Sequence, residues 1–177
     1  MPRPTDGPPP SIGYLIWHLT LRWRAGLDRA LAPLGLTSAQ YALLASLYAL
    51  SLGGAQPSQR ELADFSGLAP MYVSKLTRLL ERAGLLERAG NPADTRAVQL
   101  RVTDHGIQAV TAGRQTVLQL EDQRLAPLGG RLSERSVELR DTLLALLRHT
   151  EAMTSTHEDP TRAQTAPAAR GRSQEDR

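Results

Sequence analysis

Between Pro70 and Arg82 the chain reads PMYVSKLTRLLER, and at helical spacing one side of this run is apolar through Val73, Leu76 and Leu80. The other side carries Met71, Tyr72, Ser74, Lys75 and Arg78, with no acidic residue among them. Lys75 and Arg78 suit guanine edges or phosphate oxygens, and Tyr72 and Met71 suit thymine methyls and sugar edges. Ser74 and Thr77 bring hydroxyls that reach bases or phosphates. Further on, GNPADTR places Asp94 two residues before Arg96. An arginine of this kind meets focused negative potential in a narrow minor groove, and Asp94 is placed to hold its guanidinium. Arg88 and Arg101 flank the same segment and suit phosphates. The bland alternative is a solvated helix face plus a surface ion pair worth under about 1 kcal/mol. The fixed spacing between the two groups of residues favours nucleic acid.

The flanking sequence supplies the elements that hold these residues. Ser58 and Glu61 form a capping box that opens a short helix, with Leu62 and Phe65 as its apolar edge. Gly67 suits a sharp turn, and Pro70 suits the first turn of the next helix. Ala69 stands where a Ser, Thr or Asp cap is preferred, which leaves N–H groups free to meet a phosphate. Gly84 fits a C-terminal cap. Leu86 to Arg88 starts a strand, Gly90 to Arg96 is dense in turn formers, and Val98, Leu100 and Val102 alternate with Gln99 and Arg101. Helix, turn, helix and hairpin together make a winged helix, whose second helix enters the DNA major groove.

These residues resemble the multiple-antibiotic-resistance regulator (MarR) family. The matching pieces are Leu34-Gly-Leu-Thr-Ser-Ala-Gln40, the Ser58–Leu68 helix, Val73-Ser-Lys-Leu76, Leu80-Glu-Arg-Ala-Gly-Leu85 and Asn91-Pro-Ala-Asp-Thr-Arg96, in the family's order and approximate spacing. The resemblance spans roughly Gly13 to Thr150, and the wing's Asp-x-Arg is its most specific part. It implies a homodimeric regulator of transcription, more often a repressor, that binds double-stranded DNA. It also implies a layer where the first and last helices of two subunits interleave, and a site for phenolic or aromatic ligands beside that layer. A third short strand precedes the first recognition-unit helix in the family, and Ala55 to Pro57 leaves room for little more than one bridge.

The rest of the chain fits a mainly α fold with a small β-hairpin wing. Residues 1–10, with five prolines, read as a disordered arm. A long helix begins at Ser11, with Ile12, Leu15, Ile16, Leu19, Trp23, Leu27 and Leu31 in one stripe and Tyr14, Trp17 and Leu21 in a second. Two stripes predict one face toward its own domain and one toward another subunit. Thr37 and Gln40 cap a second helix. Tyr14, Trp17, His18, Leu21, Tyr41 and Leu44 are the candidate ligand residues. Thr103 caps a connector helix ending near Leu125, and Ser133 caps a last helix with surplus leucines. The expected layout is a dimerisation layer at 11–33 and 104–150 around a DNA-binding unit at 37–103. Residues 151–177 read as a disordered tail.

Composition excludes several classes. There is no cysteine, so disulfides and thiolate metal sites are ruled out. His18, His105, His149 and His157 are scattered over different segments, so no metal site is expected. No nucleophile elbow, phosphate loop or dinucleotide fingerprint occurs, so neither catalysis nor a cofactor is expected. No stretch approaches the ~18 apolar residues of a membrane span, and the N-terminus has no apolar core of a signal peptide. A cytoplasmic protein is the expectation. Net charge is +3 with pI ≈ 9.8, which adds only mild support for a nucleic-acid partner. The alternative function is a winged-helix module for protein contact with weak or no DNA binding. Lys75, Arg78 and Arg96 without acidic neighbours argue against it.

Overall fold

The computed structural model describes the backbone of residues 9–91 and 94–157 and the side chains of residues 9–90 and 98–153. The predicted N-terminal arm up to residue 8, the wing-tip side chains of Asp94 and Arg96, and the tail beyond residue 157 lie outside the described residues. The elements are α1 (Ile12–Leu31), α2 (Ser38–Ser51), α3 (Gln59–Ser66), α4 (Pro70–Arg82), β1 (Leu86–Asn91), β2 (Asp94–Val102), α5 (Asp104–Arg124) and α6 (Glu134–His157). Single 3₁₀ turns follow α1 and α5. Two compact units divide at Arg124.

In the first unit the caps are chemical and local. Thr37 and Gln40 form the expected box on α2, and Ser58 and Glu61 form theirs on α3. Gly67 ends α3 at φ 65. Ala69 gives α4 no side-chain cap, and Pro70 occupies the first helical turn. A further cap comes from a distance. Asp28 on α1 accepts the Ser38 N–H at 2.6 Å, so one helix holds the start of the next. That bond holds the Asp28 carboxyl below the usual carboxylate range.

β1 and β2 pair antiparallel, with Leu86 opposite Val102 and Arg88 opposite Leu100. The third strand is reduced to one bridge, Ser58 to Gln99, beside a 2.8 Å bond from Leu100 N–H to Pro57 O. The core gathers Leu31, Leu43, Leu44, Leu47, Leu62, Val73, Leu80, Leu86 and Leu100. Each such side chain contributes roughly 1.5–3 kcal/mol on burial, so α3, α4 and the hairpin are held as one body on α2. Two glycines of α5 allow close approach. A Cβ on Gly106 would lie 2.0 Å from Leu85 O, and one on Gly113 would lie 2.5 Å from the Tyr41 ring.

α1 departs from the expected division of its faces. Its C-terminal half packs through Leu27 and Leu31. In its N-terminal half both stripes are exposed, including Ile12, Tyr14, Leu15, Ile16, Trp17, Leu19 and Leu21. The first turns of this helix run beyond the elements that could cover them within the unit.

The second unit starts with a tight corner. Ser133 and Ser136 hydroxyls both bond Gly130 O, at 2.9 and 2.7 Å, and Ser133 Oγ accepts the Ser136 N–H. On α6, Leu139, Leu143, Leu144, Leu146 and Leu147 are exposed. The helix continues to His157, so the expected tail boundary at residue 151 is corrected. Glu151, Ala152 and Met153 are good helix formers, and an existing helix extends more easily than it starts. Among the described residues no single helix is long and apolar enough to cross a membrane.

Candidate nucleic-acid interface

α4 buries Val73, Leu76, Thr77 and Leu80 and turns the remaining face outward. Met71 is 88% exposed and Tyr72 38%, and Lys75 and Arg78 are also exposed. Ser74 is half-buried. The Arg78 guanidinium lies along its own helix, donating from Nε to Ser74 O at 3.1 Å and from Nη2 to Ser74 Oγ at 3.4 Å. Its charge is thereby kept near the outer face with fewer free rotamers. The first acid on the helix is Glu81, one turn beyond Thr77.

Two of the predicted contact residues turn inward. Thr77 is fully buried, so its hydroxyl does not reach a base or phosphate. Its Oγ lies 2.9 Å from Val73 O and 3.2 Å from the Gln59 amide of α3. Arg88 also turns inward. Its Nε is 3.1 Å from Glu81 Oε2, and its Nη2 donates to Thr77 Oγ at 3.4 Å. Its guanidinium is thus engaged within the protein, with the side chain 27% exposed. Arg101 is paired with Glu87, its partner in the strand register. Asp94 and Arg96 lie on β2, with side chains outside the described residues.

The inner contacts of Glu81 and Gln59 escaped the sequence reading. A strand-period argument held the signal for Arg88. It sits two residues after buried Leu86 and so shares its inward face.

The six candidate ligand residues do not meet in one cavity. Tyr14 and His18 lie with ring centroids 4.2 Å apart and planes tilted by 49° on the exposed part of α1, near Trp17 and Leu21. Leu44 is fully buried in the core, which corrects its assignment to a ligand wall. Tyr41 is half-buried, and burial pushes its phenol pKa up against the opposing charge of Arg114. A shallow cleft of about 220 Å³ lies elsewhere, lined by Tyr48, Leu52, Gln56, Arg101, Val102 and Ile107 among others. Among the described residues no group of three or more His, Cys, Asp or Glu is placed to hold a metal ion.

A helix-turn-helix whose second helix is followed by an antiparallel hairpin defines a winged-helix protein. Residues 36–98 match the MarR family. The chain is 38% identical over 116 residues to the uncharacterized HTH-type transcriptional regulator YdcH of Bacillus subtilis (strain 168), covering 66% of this chain and 79% of that protein. Among solved structures, the transcriptional repressor CouR bound to a 23-mer DNA duplex aligns with TM-score 0.65 at 28% identity, over 80% of this chain and 92% of that one. A mutant MarR from E. coli complexed with operator DNA aligns with TM-score 0.65 at 26% identity, over 77% and 92% of the two chains. The chain belongs to the MarR family. It is a transcriptional regulator of the MarR type, not an enzyme.

Proposed function

We propose that this chain acts in the cytoplasm as a homodimer that binds an inverted repeat in double-stranded DNA and represses transcription. The observation that carries the reading is the outward face of α4. Met71, Tyr72, Lys75 and Arg78 are exposed together there, with no acid beside them, on a helix anchored by buried Val73, Leu76 and Leu80. Ser74 belongs to the same contact. In this reading Arg96 enters the flanking minor groove and Asp94 orients it. The solved DNA complexes of similar proteins support the same use of the fold.

The uncovered apolar residues of α1 and α6 support dimerisation, since surplus apolar surface of this kind marks an interface. Two-fold symmetry then requires half-sites about one helical turn apart, ~10 bp centre to centre. In the same reading a small aromatic or phenolic effector weakens DNA binding by altering the spacing of the two α4 helices. Tyr14, Trp17, His18 and Leu21, with Tyr41, would form its wall once a second subunit covers α1.

The experiment is selection of genomic fragments by purified protein, repeated with a panel of aromatic compounds. An enriched inverted repeat, lost with one class of compound and retained by Trp17→Ala, is the expected result. Enrichment of no sequence would overturn the DNA-binding reading and promote the protein-contact alternative.

A further inference from the structure

We propose that Arg88 is a positioning residue that sets α4 against the base of the wing, so that helix and wing engage the DNA together. The proposal rests on the DNA-binding reading above. Strand alternation puts Arg88 on the same face of β1 as buried Leu86, opposite buried Leu100. From there its guanidinium lies against α4. It meets Glu81 at 3.1 Å and Thr77 at 3.4 Å, two residues four apart on one helical face. Thr77 in turn lies 3.2 Å from the Gln59 amide. One side chain of β1 thus ties the hairpin to α4, and through Thr77 to α3.

The character of the contact fits a latch more than a prop. Arg88 Nε is buried and within ion-pair distance of Glu81, yet it makes no aligned hydrogen bond. The side chains of Arg88 and Glu81 are 27% and 40% exposed, so the pair adds little to the stability of the fold. Its geometric effect is larger. The chain passes from α4 to β1 through Ala83, Gly84 and Leu85, and Gly84 takes φ 68. Without a side-chain tie, the angle between α4 and the hairpin depends on that turn and on packing. Recognition needs the first-contact residues held within a fraction of an ångström. An arginine already paired with a carboxylate also releases no phosphate counterion, so it leaves the salt dependence of binding untouched.

The test compares Arg88→Ala with Glu81→Gln on the selected operator, at several salt concentrations and with hydroxyl-radical and dimethyl sulfate footprinting. Glu81 is acidic and meets no phosphate, so it separates positioning from direct contact. The expected result is that both variants weaken binding by roughly 5- to 30-fold. The slope of log K against log salt stays within about half a unit of the parent protein. Sugar protection at the flanking minor groove is lost while guanine N7 protection from dimethyl sulfate in the central major groove remains. Glu81→Gln keeps the side-chain shape, so it decides the matter even where Arg88→Ala melts early. The proposal is overturned if Arg88→Ala shallows the slope by about two units per dimer while Glu81→Gln binds normally, because Arg88 is then a phosphate contact. It is equally overturned if both variants bind and footprint like the parent protein, an outcome that leaves the DNA-binding reading intact. A parent protein that enriches no duplex removes that reading and the positioning role with it.

Discussion

Gly106→Ala tests how α5 is seated on the DNA-binding unit. Thr103 bonds Gly84 O through its hydroxyl at 2.7 Å and Leu85 O through its N–H at 3.2 Å. Its Oγ also accepts the Gly106 N–H at 3.0 Å. Gly106 therefore enters α5 with its backbone against the turn between α4 and β1. An added Cβ would sit 2.0 Å from Leu85 O and 2.7 Å from Val102 Cγ1. Val102 can rotate, but Leu85 O is backbone and already accepts the Thr103 N–H. Relief requires α5 to move by about 1 Å, which breaks a bond already at 3.2 Å. Overpacking costs about 1–3 kcal/mol and the lost bond about 1, while alanine returns about 1 through helix propensity. The net loss is about 1–3 kcal/mol. For a chain of this size each kcal/mol shifts Tm by about 2–4 °C, so Tm should fall by roughly 2–12 °C. Thermal and urea unfolding followed by far-UV circular dichroism measure this. A variant as stable as the parent protein would show that α5 does not press on Leu85 O, and the seating argument would be wrong.

Four other substitutions separate local from long-range effects. Gly26→Ala meets only the end of the Arg124 side chain, which donates to the Trp23 and Arg22 carbonyls at 2.9 and 3.3 Å. Helix propensity and those lost bonds should offset to within about 1 kcal/mol, and a loss of unfolding free energy above ~2 kcal/mol in urea titration would contradict this. Asp28→Ala should cost about 1 kcal/mol at neutral pH by leaving the Ser38 N–H at the start of α2 without its acceptor. Because folding depresses the Asp28 pKa, this contribution is complete above the unfolded value and fades as pH falls through the folded one. Parent and variant stabilities should therefore converge in acid, and a constant gap down to strongly acidic pH would refute the assignment. Lys75→Ala or Arg78→Ala should lose roughly 1–3 kcal/mol per half-site with relaxed preference at one position if the contact is to guanine. A phosphate contact would instead weaken all duplexes alike and shallow the salt slope by about one per contact, and unchanged binding in the double variant would remove α4 from the interface.

The sequence was most legible where the physics is closed within about one helical turn. Both capping boxes, the Gly67 turn, Pro70 and the buried line of α4 need only residues three or four apart, and all were readable. The single bridge at Ser58 was legible from the length left before α3. Apart from Leu44, the misreadings concern polar side chains whose partners come from another element. Thr77 lies four residues after Val73 and three before Leu80, so helical spacing already puts it on the buried face, and only its polar hydroxyl suggested the outer one. The Gln59 amide and the Arg88 guanidinium meet that hydroxyl, and neither is near Thr77 in sequence. Asp28 caps a helix ten residues downstream, where no local motif announces it. The surplus apolar surface of α1 and α6 was visible in the sequence, but how far α1 outruns its own core was not.

The same distinction bears on how much charge the proposed interface can present. Counting cations along the sequence assigns Arg88 and Arg101 to phosphates beside Lys75 and Arg78. The structure pairs Arg88 with Glu81 and Arg101 with Glu87. Each pair would have to break before its arginine could replace a counterion, and breaking it strands a carboxylate near DNA. Arg78 is already laid against Ser74 on the outer face, so it can turn outward with only neutral bonds to lose. On the proposed reading Lys75 and Arg78 are α4's cations for the groove, and we withdraw the two ion-paired hairpin arginines from the count. Each withdrawn arginine would have added about 0.9 to the salt slope per subunit. The measured slope should accordingly fall short of a tally of nearby positive residues by roughly that amount for each of the two pairs. A slope that matches the full tally would mean that both ion pairs open on binding.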